Sequence, residues 1–369
     1  MLRFKKPYKL LVLTTLWLFA NLGVAQSQKG IWLTDVASKA LDSKEGIEAV
    51  VKHCKSYGID QIYVVVWNRG YTLYPSEVMQ KTFGKKVAPR FANNDVLQEL
   101  ITAAHAEGLF VHAWFEFGFS SSYQEDDGGH ILRAKPQWKA IDNEGKLVSK
   151  NGFQWMNAFN PEVQDFLLSL ITEVITNYDI DGIQGDDRMP ANPSLAGYDP
   201  LTIALYQKEH NGKSPPQDYK DPKWVDWRAQ KLNLFAKKIY ETAKAVDPKI
   251  IVTMAPSIFP WSKQEYLQDW PTWVREGWID YIIPQVYRYN IKRYTRSLDI
   301  SLGIMPTDKK HQLVPGVLLK VNDYSPSQRF LKKIVKANRK RGLNSEVFFF
   351  YEGLKAHPHF FGNIYKDLK

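Results

Sequence analysis

The chain has 369 residues, of which 44% are hydrophobic and 14% aromatic. This composition excludes an intrinsically disordered protein and supports a large buried core. The single cysteine, Cys54, excludes an internal disulfide and falls in an apolar helical pattern, which predicts a core position. The formal net charge is +10, but no nucleic-acid recognition motif accompanies it, so we expect no nucleic-acid partner.

The N-terminus has the pattern of a secretory signal peptide. Four basic residues open it: Arg3, Lys5, Lys6 and Lys9. An apolar run follows from Leu10 to Ala20, and small residues precede a cleavage site after Ala25. An uncleaved membrane anchor is the alternative, but the run is shorter than the roughly 20 residues of a membrane span. A lipoprotein anchor is not expected, because no cysteine follows the run. We therefore expect residues 1–25 to be removed. Residues 26–369 would then be a single domain, periplasmic or secreted, without stable membrane insertion.

Strand-like runs alternate with helical patterns along the rest of the chain. The predicted strands are Gly30–Val36, Ile59–Trp67, Leu109–Phe117, Ile180–Asp186, Ile250–Ala255, Ile279–Tyr287, Leu313–Leu319 and Glu346–Tyr351. Several are continuous apolar runs, which are typical of strands buried on both faces in a parallel sheet.

Helices are predicted between these strands. The clearest are Lys44–Tyr57, Asn94–Glu107, a helix that Asn160 caps, and Trp224–Val246. Eight strands alternating with helices predict the α/β class and a (β/α)8 TIM barrel. A doubly wound sheet is the alternative, but the glycine-rich phosphate loop expected after its first strand is missing.

The predicted strands end in polar and aromatic residues. In such barrels, catalytic groups stand at the C-terminal ends of the strands. The candidates for substrate contact are Asp35, Trp67, Arg69, Tyr71, His112, Trp114, Gln184, Arg188, Gln285 and Tyr287. The aromatic residues among them, together with Tyr289, offer flat apolar faces for sugar rings. The long connection over residues 118–159 is expected to shape a cleft above the barrel.

Two adjacent carboxylates end the fourth predicted strand. Because strand side chains alternate, Gln184 and Asp186 share the face toward the barrel axis, and Asp187 begins the loop. A carboxylate pair in an aromatic cleft suggests glycoside hydrolysis. One group protonates the leaving oxygen, and another attacks the sugar carbon, activates water or holds a neighbouring group that attacks. Asp186 and Asp187 are the first candidates, and Glu116 and Glu352 are the other strand-end candidates for the second acid.

At these residues the chain resembles the family 10-like glycosyl hydrolases, also called the glycosyl hydrolase-like 10 family. Three segments carry the resemblance over about residues 30 to 355: Gly30–Thr34, Asp181–Asp187 and Ile283–Tyr287. The resemblance implies an exported bacterial (β/α)8 glycosidase with Asp186 and Asp187 as catalytic acids. Several members resemble envelope enzymes that act on amino-sugar polymers, including peptidoglycan strands without peptides, so this is the substrate that we expect. No cofactor and no metal are expected.

One residue departs from the family pattern. Gly185 stands where a bulky or aromatic residue is common, which predicts looser packing behind Asp186. A further mechanism uses the substrate itself. In an N-acetylated sugar the acetamido oxygen can attack the sugar carbon while one aspartate orients that group and its neighbour acts as the acid. Adjacent Asp186 and Asp187 suit this scheme.

Other interpretations of these residues stay open. The aspartate pair could cap a helix, although Pro190 follows closely, or could bind a metal with a histidine. His112 lies in an apolar strand and fits a core histidine as well as a substrate contact, and Asp35 could simply end its strand. At the level of the protein, the alternatives are a non-catalytic carbohydrate-binding barrel and a metal-dependent polysaccharide deacetylase.

Overall fold

The computed structural model describes residues 28–365 and residue 368. The predicted signal peptide therefore lies outside the described residues. No helix in the described part of the chain is long and apolar enough to span a bilayer.

Eight parallel strands form the central sheet. They are β1 (Lys29–Leu33), β2 (Gln61–Val65), β3 (Phe110–Trp114), β4 (Gly182–Gly185), β5 (Ile251–Met254), β6 (Tyr281–Ile282), β7 (Gly316–Leu318) and β8 (Glu346–Phe349). Neighbours along the sheet are consecutive in the chain from β1 to β6, while β8 pairs with β1 and with β7. Parallel bridges Ile282–Leu313 and Gln285–Gly316 join β6 to β7. These bridges close the sheet into a ring, so the predicted (β/α)8 barrel is confirmed.

All eight strands are shorter than the ranges predicted from the sequence, and proline limits two of them. Pro284 has no backbone N–H, and the ladder of β6 stops at Ile282. Pro315 likewise precedes β7, which begins only at Gly316. Because proline cannot donate to a ladder, contacts in this part of the ring are reduced to single bridges.

Helices surround the barrel and fill the connections. The α-helices are Lys44–Tyr57, Glu77–Phe83, Val96–Ala106, Gly129–Ala134, Pro161–Asn177, Pro200–Glu209, Pro222–Val246, Trp261–Tyr266, Trp270–Glu276, Ile291–Gly303, Gln328–Arg339 and Tyr351–Ala356. Short 3₁₀ turns lie at Pro89–Phe91, Pro136–Trp138 and Thr307–Gln312, and a π-helical turn at Phe360–Ile364. The predicted helix Lys44–Tyr57 has the observed bounds, and Cys54 on it is fully buried.

Local sequence signals set the helix ends. The side chain of Asn160 accepts a hydrogen bond from the Glu162 N–H and caps the helix that Pro161 begins, as predicted. Gly58 ends the first helix in the left-handed conformation at φ 70°, which a residue with a Cβ atom adopts at a cost. These caps fix where each helix returns the chain to the next strand.

The connection after β3 carries its own small sheet at the barrel mouth. Antiparallel strands Ser120–Tyr123, Ser149–Lys150 and Phe153–Trp155 make up this sheet. A short hairpin, Trp67–Asn68 with Tyr71–Thr72, follows β2 at the same end. Both additions follow the C-terminal ends of strands, so they form walls around the place where the catalytic groups of a barrel stand.

Candidate active site

Three carboxylates surround one guanidinium at the mouth of the barrel. Arg188 Nη2 lies 3.3 Å from Asp186 Oδ2 and 3.6 Å from Glu116 Oε1, and Arg188 Nη1 lies 3.0 Å from Asp187 Oδ1. The Nε atom of Arg188 donates to the backbone oxygen of Glu116. This acid cluster, Glu116, Asp186, Asp187 and Arg188, therefore joins the ends of β3 and β4.

Asp186 is the most deeply placed of the three acids. Its side chain is 3% exposed, and its Oδ1 accepts hydrogen bonds from Gln285 Nε2 at 2.8 Å and from the backbone N–H of Asp187 at 2.7 Å. Oδ1 thus has two donors, whereas Oδ2 accepts one hydrogen bond, from Arg188 Nη2 at 3.3 Å, and keeps a lone pair for a proton. Gln285, which follows β6, is brought to the site as predicted and holds the orientation of the carboxyl group.

Burial dominates the acid–base behaviour of the cluster. Loss of hydration raises the pKa of Asp186 well above its usual value, and the nearby charges of Asp187 and Glu116 raise it further against the opposing effect of Arg188. Burial also raises the pKa of Glu116 to about 7, opposed by Arg188 and assisted by the charge of Asp35. These effects favour the protonated form of Asp186, while Glu116 has a pKa of about 7.

Asn68 links Glu116 to Asp35. The Nδ2 atom of Asn68 donates to Glu116 Oε2 and to Asp35 Oδ1, each at 2.9 Å. Burial raises the pKa of Asp35, while this hydrogen bond from Asn68 lowers it. Asp35 therefore acts on the cluster through Asn68 and does not contact Asp186.

A cavity of about 150 Å³ opens over the acid cluster. Its lining consists of the cluster, Gln285 and five aromatic rings: Trp32, Trp114, Phe153, Tyr287 and Phe349. The indole N–H of Trp114 is buried and has no hydrogen-bond partner, and the same holds for Asp187 Oδ1, apart from its ion pair. A buried polar group without a hydrogen bond is costly, so two residues of the cavity lining have hydrogen-bonding capacity that the protein does not satisfy.

Several predicted contact residues lie away from this cavity. Trp67 is fully buried and donates to the backbone oxygen of Gly118. His112 is buried inside the barrel with its Nε2 at 2.7 Å from Gln61 Oε1, and burial lowers its pKa to about 3. It is a core histidine, the other interpretation considered from the sequence. Gln184 does face the axis as predicted, but it is buried and accepts from Trp32 Nε1 at 2.6 Å, so it supports the cavity wall.

The hairpin and the last helix hold the other candidates. Arg69 and Tyr71 lie in the hairpin after β2, where the ring of Tyr71 packs 4.5 Å from that of His130. Glu352 accepts from Ser38 Oγ at 2.8 Å and pairs with Lys355 at 2.6 Å. With Asp35 it lines a separate cavity of about 790 Å³. The structure therefore brings Glu116, and not Glu352, to the aspartate pair.

Four residues of the site were not predicted from the sequence. Trp32 and Phe349 come from β1 and β8, Phe153 from the small sheet after β3, and Asn68 from the hairpin. Trp32 lies in the apolar run of the first strand, where an aromatic residue looks like core. Only the alternation along β1, which turns Trp32 to the axis, could have indicated its position.

The packing behind Asp186 is tight, and the expectation of looseness at Gly185 is wrong. A Cβ atom at Gly185 would lie 2.4 Å from the backbone oxygen of Met189 and 2.4 Å from the sulfur of Met254. The turn that follows Asp186 therefore folds back onto the space that a larger side chain would occupy.

This contact predicts the effect of Gly185→Ala. The substitution should lower the free energy of unfolding by about 1–3 kcal/mol, the usual cost of overpacking, and reduce turnover by displacing Asp186. Denaturant unfolding and rate measurements test both effects. Gly303→Ala is the matched control, because no atom lies within 4 Å of its Cβ position at the helix end. An unchanged stability for Gly185→Ala would contradict the packing described.

A parallel barrel with carboxylates and aromatic rings at its mouth has the architecture of a glycoside hydrolase. The sequence model of the glycosyl hydrolase-like 10 family matches residues 27–341, and the chain belongs to this family. The family places it among the glycoside hydrolases.

Two similar curated proteins are also named glycosyl hydrolases. Glycosyl hydrolase DigH of Escherichia coli is 23% identical over 304 residues, which cover 71% of this chain and 66% of the relative. The match thus spans just under two thirds of that protein. Glycosyl hydrolase YngK of Bacillus subtilis is 22% identical over 383 residues, covering 92% of this chain and 71% of the relative.

Solved structures share the fold at low identity. The glycoside hydrolase domain of PgaB (BpsB) from Bordetella bronchiseptica superposes with a TM-score of 0.67 at 14% identity, over 90% of this chain and 97% of that domain. α-L-fucosidase isoenzyme 2 from Paenibacillus thiaminolyticus gives a TM-score of 0.65 at 15% identity, over 93% of this chain and 49% of that protein. These likenesses support the barrel and not a substrate.

Proposed function

We propose that the protein is an exported hydrolase of an N-acetylated amino-sugar polymer, with peptide-free peptidoglycan strands as the leading substrate. The observation that carries the proposal is the acid cluster itself: Glu116, Asp186 and Asp187 converge on Arg188 at the floor of an aromatic cavity, where burial raises the pKa of Asp186 and of Glu116. A sugar ring in this cavity would meet flat apolar faces around its rim and carboxyl groups at its floor.

Asp186 supplies the proton in this mechanism. Its Oδ2 faces the cluster while Oδ1 is held by Gln285 and by the backbone of Asp187. As the bond between the sugar carbon and the glycosidic oxygen breaks, the proton passes from Asp186 to that oxygen. The raised pKa keeps this proton in place at neutral pH, which is the requirement for a general acid.

Glu116 is the second carboxylate. Asp186 and Glu116 touch the same nitrogen of Arg188, at 3.3 Å and 3.6 Å. The distance between Asp186 Oδ2 and Glu116 Oε1 is therefore at most the sum of these two contact distances. This limit applies to these two oxygens and is compatible both with the separation of about 5–5.5 Å in retaining enzymes and with the shorter separations in inverting enzymes, from about 6.5 Å. Above its pKa of about 7, Glu116 is charged. It then either attacks the sugar carbon as the nucleophile or activates the attacking water as the general base.

A second mechanism uses the acetamido group of the substrate. Asp187 is more exposed than Asp186, with 25% of its side chain accessible; its Oδ1 is buried in the ion pair with Arg188, which leaves Oδ2 for a ligand. That oxygen suits the N–H of an acetamido group, whose carbonyl oxygen then attacks the sugar carbon. In this scheme Asp187→Asn would cost more activity than Glu116→Gln, and removal of substrate acetyl groups would abolish cleavage.

The substrate class rests on the family and on charge. The family resemblance points to amino-sugar polymers of the cell envelope. Residues 26–369 contain 45 basic and 39 acidic residues, a net charge of +6, which suits a polymer that bears lactyl carboxylates. Export rests on the basic and apolar pattern of residues 1–25.

Fragment release from a panel of glycans tests the proposal. Purified protein is incubated with peptide-free glycan strands, intact peptidoglycan and strands whose acetyl groups have been removed, and the products are followed by mass spectrometry. We expect fragments from the peptide-free strands. Binding without fragments from any glycan would instead identify a carbohydrate-binding barrel.

A chelator separates the hydrolase from a metal-dependent deacetylase. Among residues 28–365, no group of three or more histidine, cysteine, aspartate or glutamate side chains is placed to hold a metal ion. The positive charge at the centre of the carboxylates is that of Arg188. We therefore expect fragment release to persist after treatment with EDTA. Loss of activity that added zinc restores, with acetate as the product, would favour the deacetylase.

A further inference from the structure

The cavity over the acid cluster cannot enclose a polymer. Its volume of about 150 Å³ lies below the range of roughly 300–1,000 Å³ that encloses small ligands. A glycan whose linkage reaches Asp186 must therefore lay its other sugar rings on the surface around the cavity. The barrel mouth should then carry further sugar-binding faces.

An exposed tyrosine, Tyr289, and a half-buried one, Tyr324, form such a face beyond β6 and β7. Tyr289 is 61% exposed, and its ring stands at 86° to that of Tyr324 with centroids 4.6 Å apart. We call this pair the tyrosine platform. A tyrosine ring has apolar faces, and the edge-on contact with Tyr324 fixes the orientation of the Tyr289 ring, so that it offers a defined surface for the apolar face of a sugar.

The tyrosine platform is close in the chain to residues that line the cavity. Tyr287, two residues before Tyr289, lines the cavity and packs 5.4 Å from Phe349. The backbone oxygen of Phe349 accepts hydrogen bonds from the N–H groups of Leu319 and Lys320, and the segment that follows them carries Tyr324. Both tyrosines are thus connected through the backbone to residues of the cavity wall.

A second face adjoins another part of the cavity wall. Tyr123, 38% exposed, packs 5.0 Å from Phe153, whose own ring lines the cavity and stacks on the guanidinium of Arg188 at 4.7 Å. These residues belong to the small sheet after β3. Phe153 and Tyr287 line the same cavity and come from the connections after β3 and β6, so each face adjoins a different wall residue of that cavity.

We propose that both faces bind sugar rings of one glycan chain, on either side of the bond that is cleaved, and that the enzyme therefore cuts within chains. This inference rests on the proposed function and adds the mode of attack to it. An enzyme that trims chain ends needs a closed cavity that stops the chain, whereas binding faces on both sides require a chain that continues past the cluster. The occupant is the substrate polymer itself.

The dependence of the rate on chain length tests the inference. The variants are Tyr289→Ala and Tyr123→Ala, with Tyr289→Phe and Tyr123→Phe as controls that keep the rings. For each, kcat/KM is measured on long peptide-free strands and on the shortest fragment that is cleaved. Each alanine variant should lower the ratio of the long to the short value by about tenfold, as expected for one aromatic contact. Each phenylalanine variant should keep the wild-type ratio. The earliest products of the wild type should be fragments of intermediate length.

Two results would overturn the inference. One is an equal effect of the alanine variants on long and short substrates. The other is release of only single sugars or disaccharides from the earliest time. If the wild type cleaves no glycan, the proposed function fails. Binding by the two faces is then tested separately, by comparing how far the wild type and the same variants are retarded in gels that contain each soluble glycan. Equal retardation of the wild type and both alanine variants across all glycans would then reject the faces.

Discussion

Asp186→Asn should lower the rate of glycan cleavage by about 10³-fold or more, because it removes the transferable proton of the proposed general acid. The amide has nearly the shape of the carboxyl group. Burial and the neighbouring acids raise the pKa of Asp186 well above its usual value, so the uncharged amide also resembles the protonated form in charge. The loss should therefore appear in turnover and leave substrate binding largely in place.

The fold of this variant should be preserved. The remaining side-chain oxygen can still accept the hydrogen bonds of Gln285 and of the Asp187 N–H. Asp181→Asn is a matched control at the other end of the same strand, where Asp181 accepts from the Val111 N–H and contacts His105. It should keep turnover close to the wild-type value. Wild-type rates for Asp186→Asn, measured with a normal melting temperature, would move the active site elsewhere.

Glu116→Gln should have the second large effect, a loss of about 10²- to 10⁴-fold in kcat. The pKa of Glu116 is raised to about 7, chiefly by burial. If the charged form acts as the nucleophile or the general base, activity must rise as pH increases through about 7. It must fall again where Asp186 loses its proton. In the variant the acidic limb of this profile should disappear. A profile that keeps its acidic limb would exclude Glu116 as the titrating group.

The same substitution should change how stability depends on pH. Between its unfolded pKa near 4.5 and its folded pKa of about 7, Glu116 is protonated in the folded state and ionised in the unfolded state. The unfolded state then binds fewer protons, so the free energy of unfolding falls as pH rises through this window. The loss is at most about 3 kcal/mol. Denaturant unfolding at pH 5 and pH 8 should show a smaller decrease for Glu116→Gln than for the wild type.

Glu352→Gln is the control that distinguishes the two candidates for the second acid. Glu352 lies in the neighbouring cavity, bound to Ser38 and Lys355. It does not touch the acid cluster. Its substitution should cost far less turnover than Glu116→Gln and should leave the acidic limb of the pH profile in place. The reverse order of effects would restore Glu352 as the second acid.

The fold and the centre of the site follow from local sequence patterns. Continuous apolar runs predicted strands buried on both faces, and eight of them close into the observed ring. Alternation along β4 correctly turned Gln184 toward the axis, and Asp186 lies at the top of that strand. Both predictions depend on periodicity within one element, which the chain itself encodes.

Predictions that depended on contacts between elements were less reliable. The environment behind Gly185 is set by Met189 and Met254, one in the following turn and the other on the next strand, so a single position could not indicate its packing. Glu116 and Glu352 both follow strands and look equivalent in the sequence. Only the position of Arg188 distinguishes them, because its guanidinium reaches Glu116. Trp67 ends a strand like Trp114, but the hairpin buries it against Phe166.

The most direct test of the central claim is the chemistry of the new chain ends. Peptide-free glycan strands are cleaved in water enriched in heavy oxygen, and the fragments are analysed by mass spectrometry. If the acid cluster around Asp186 hydrolyses glycosidic bonds, each new reducing end should carry one heavy oxygen atom, and Asp186→Asn should release almost no labelled fragments. Unlabelled fragments, or equal label from both proteins, would contradict the account.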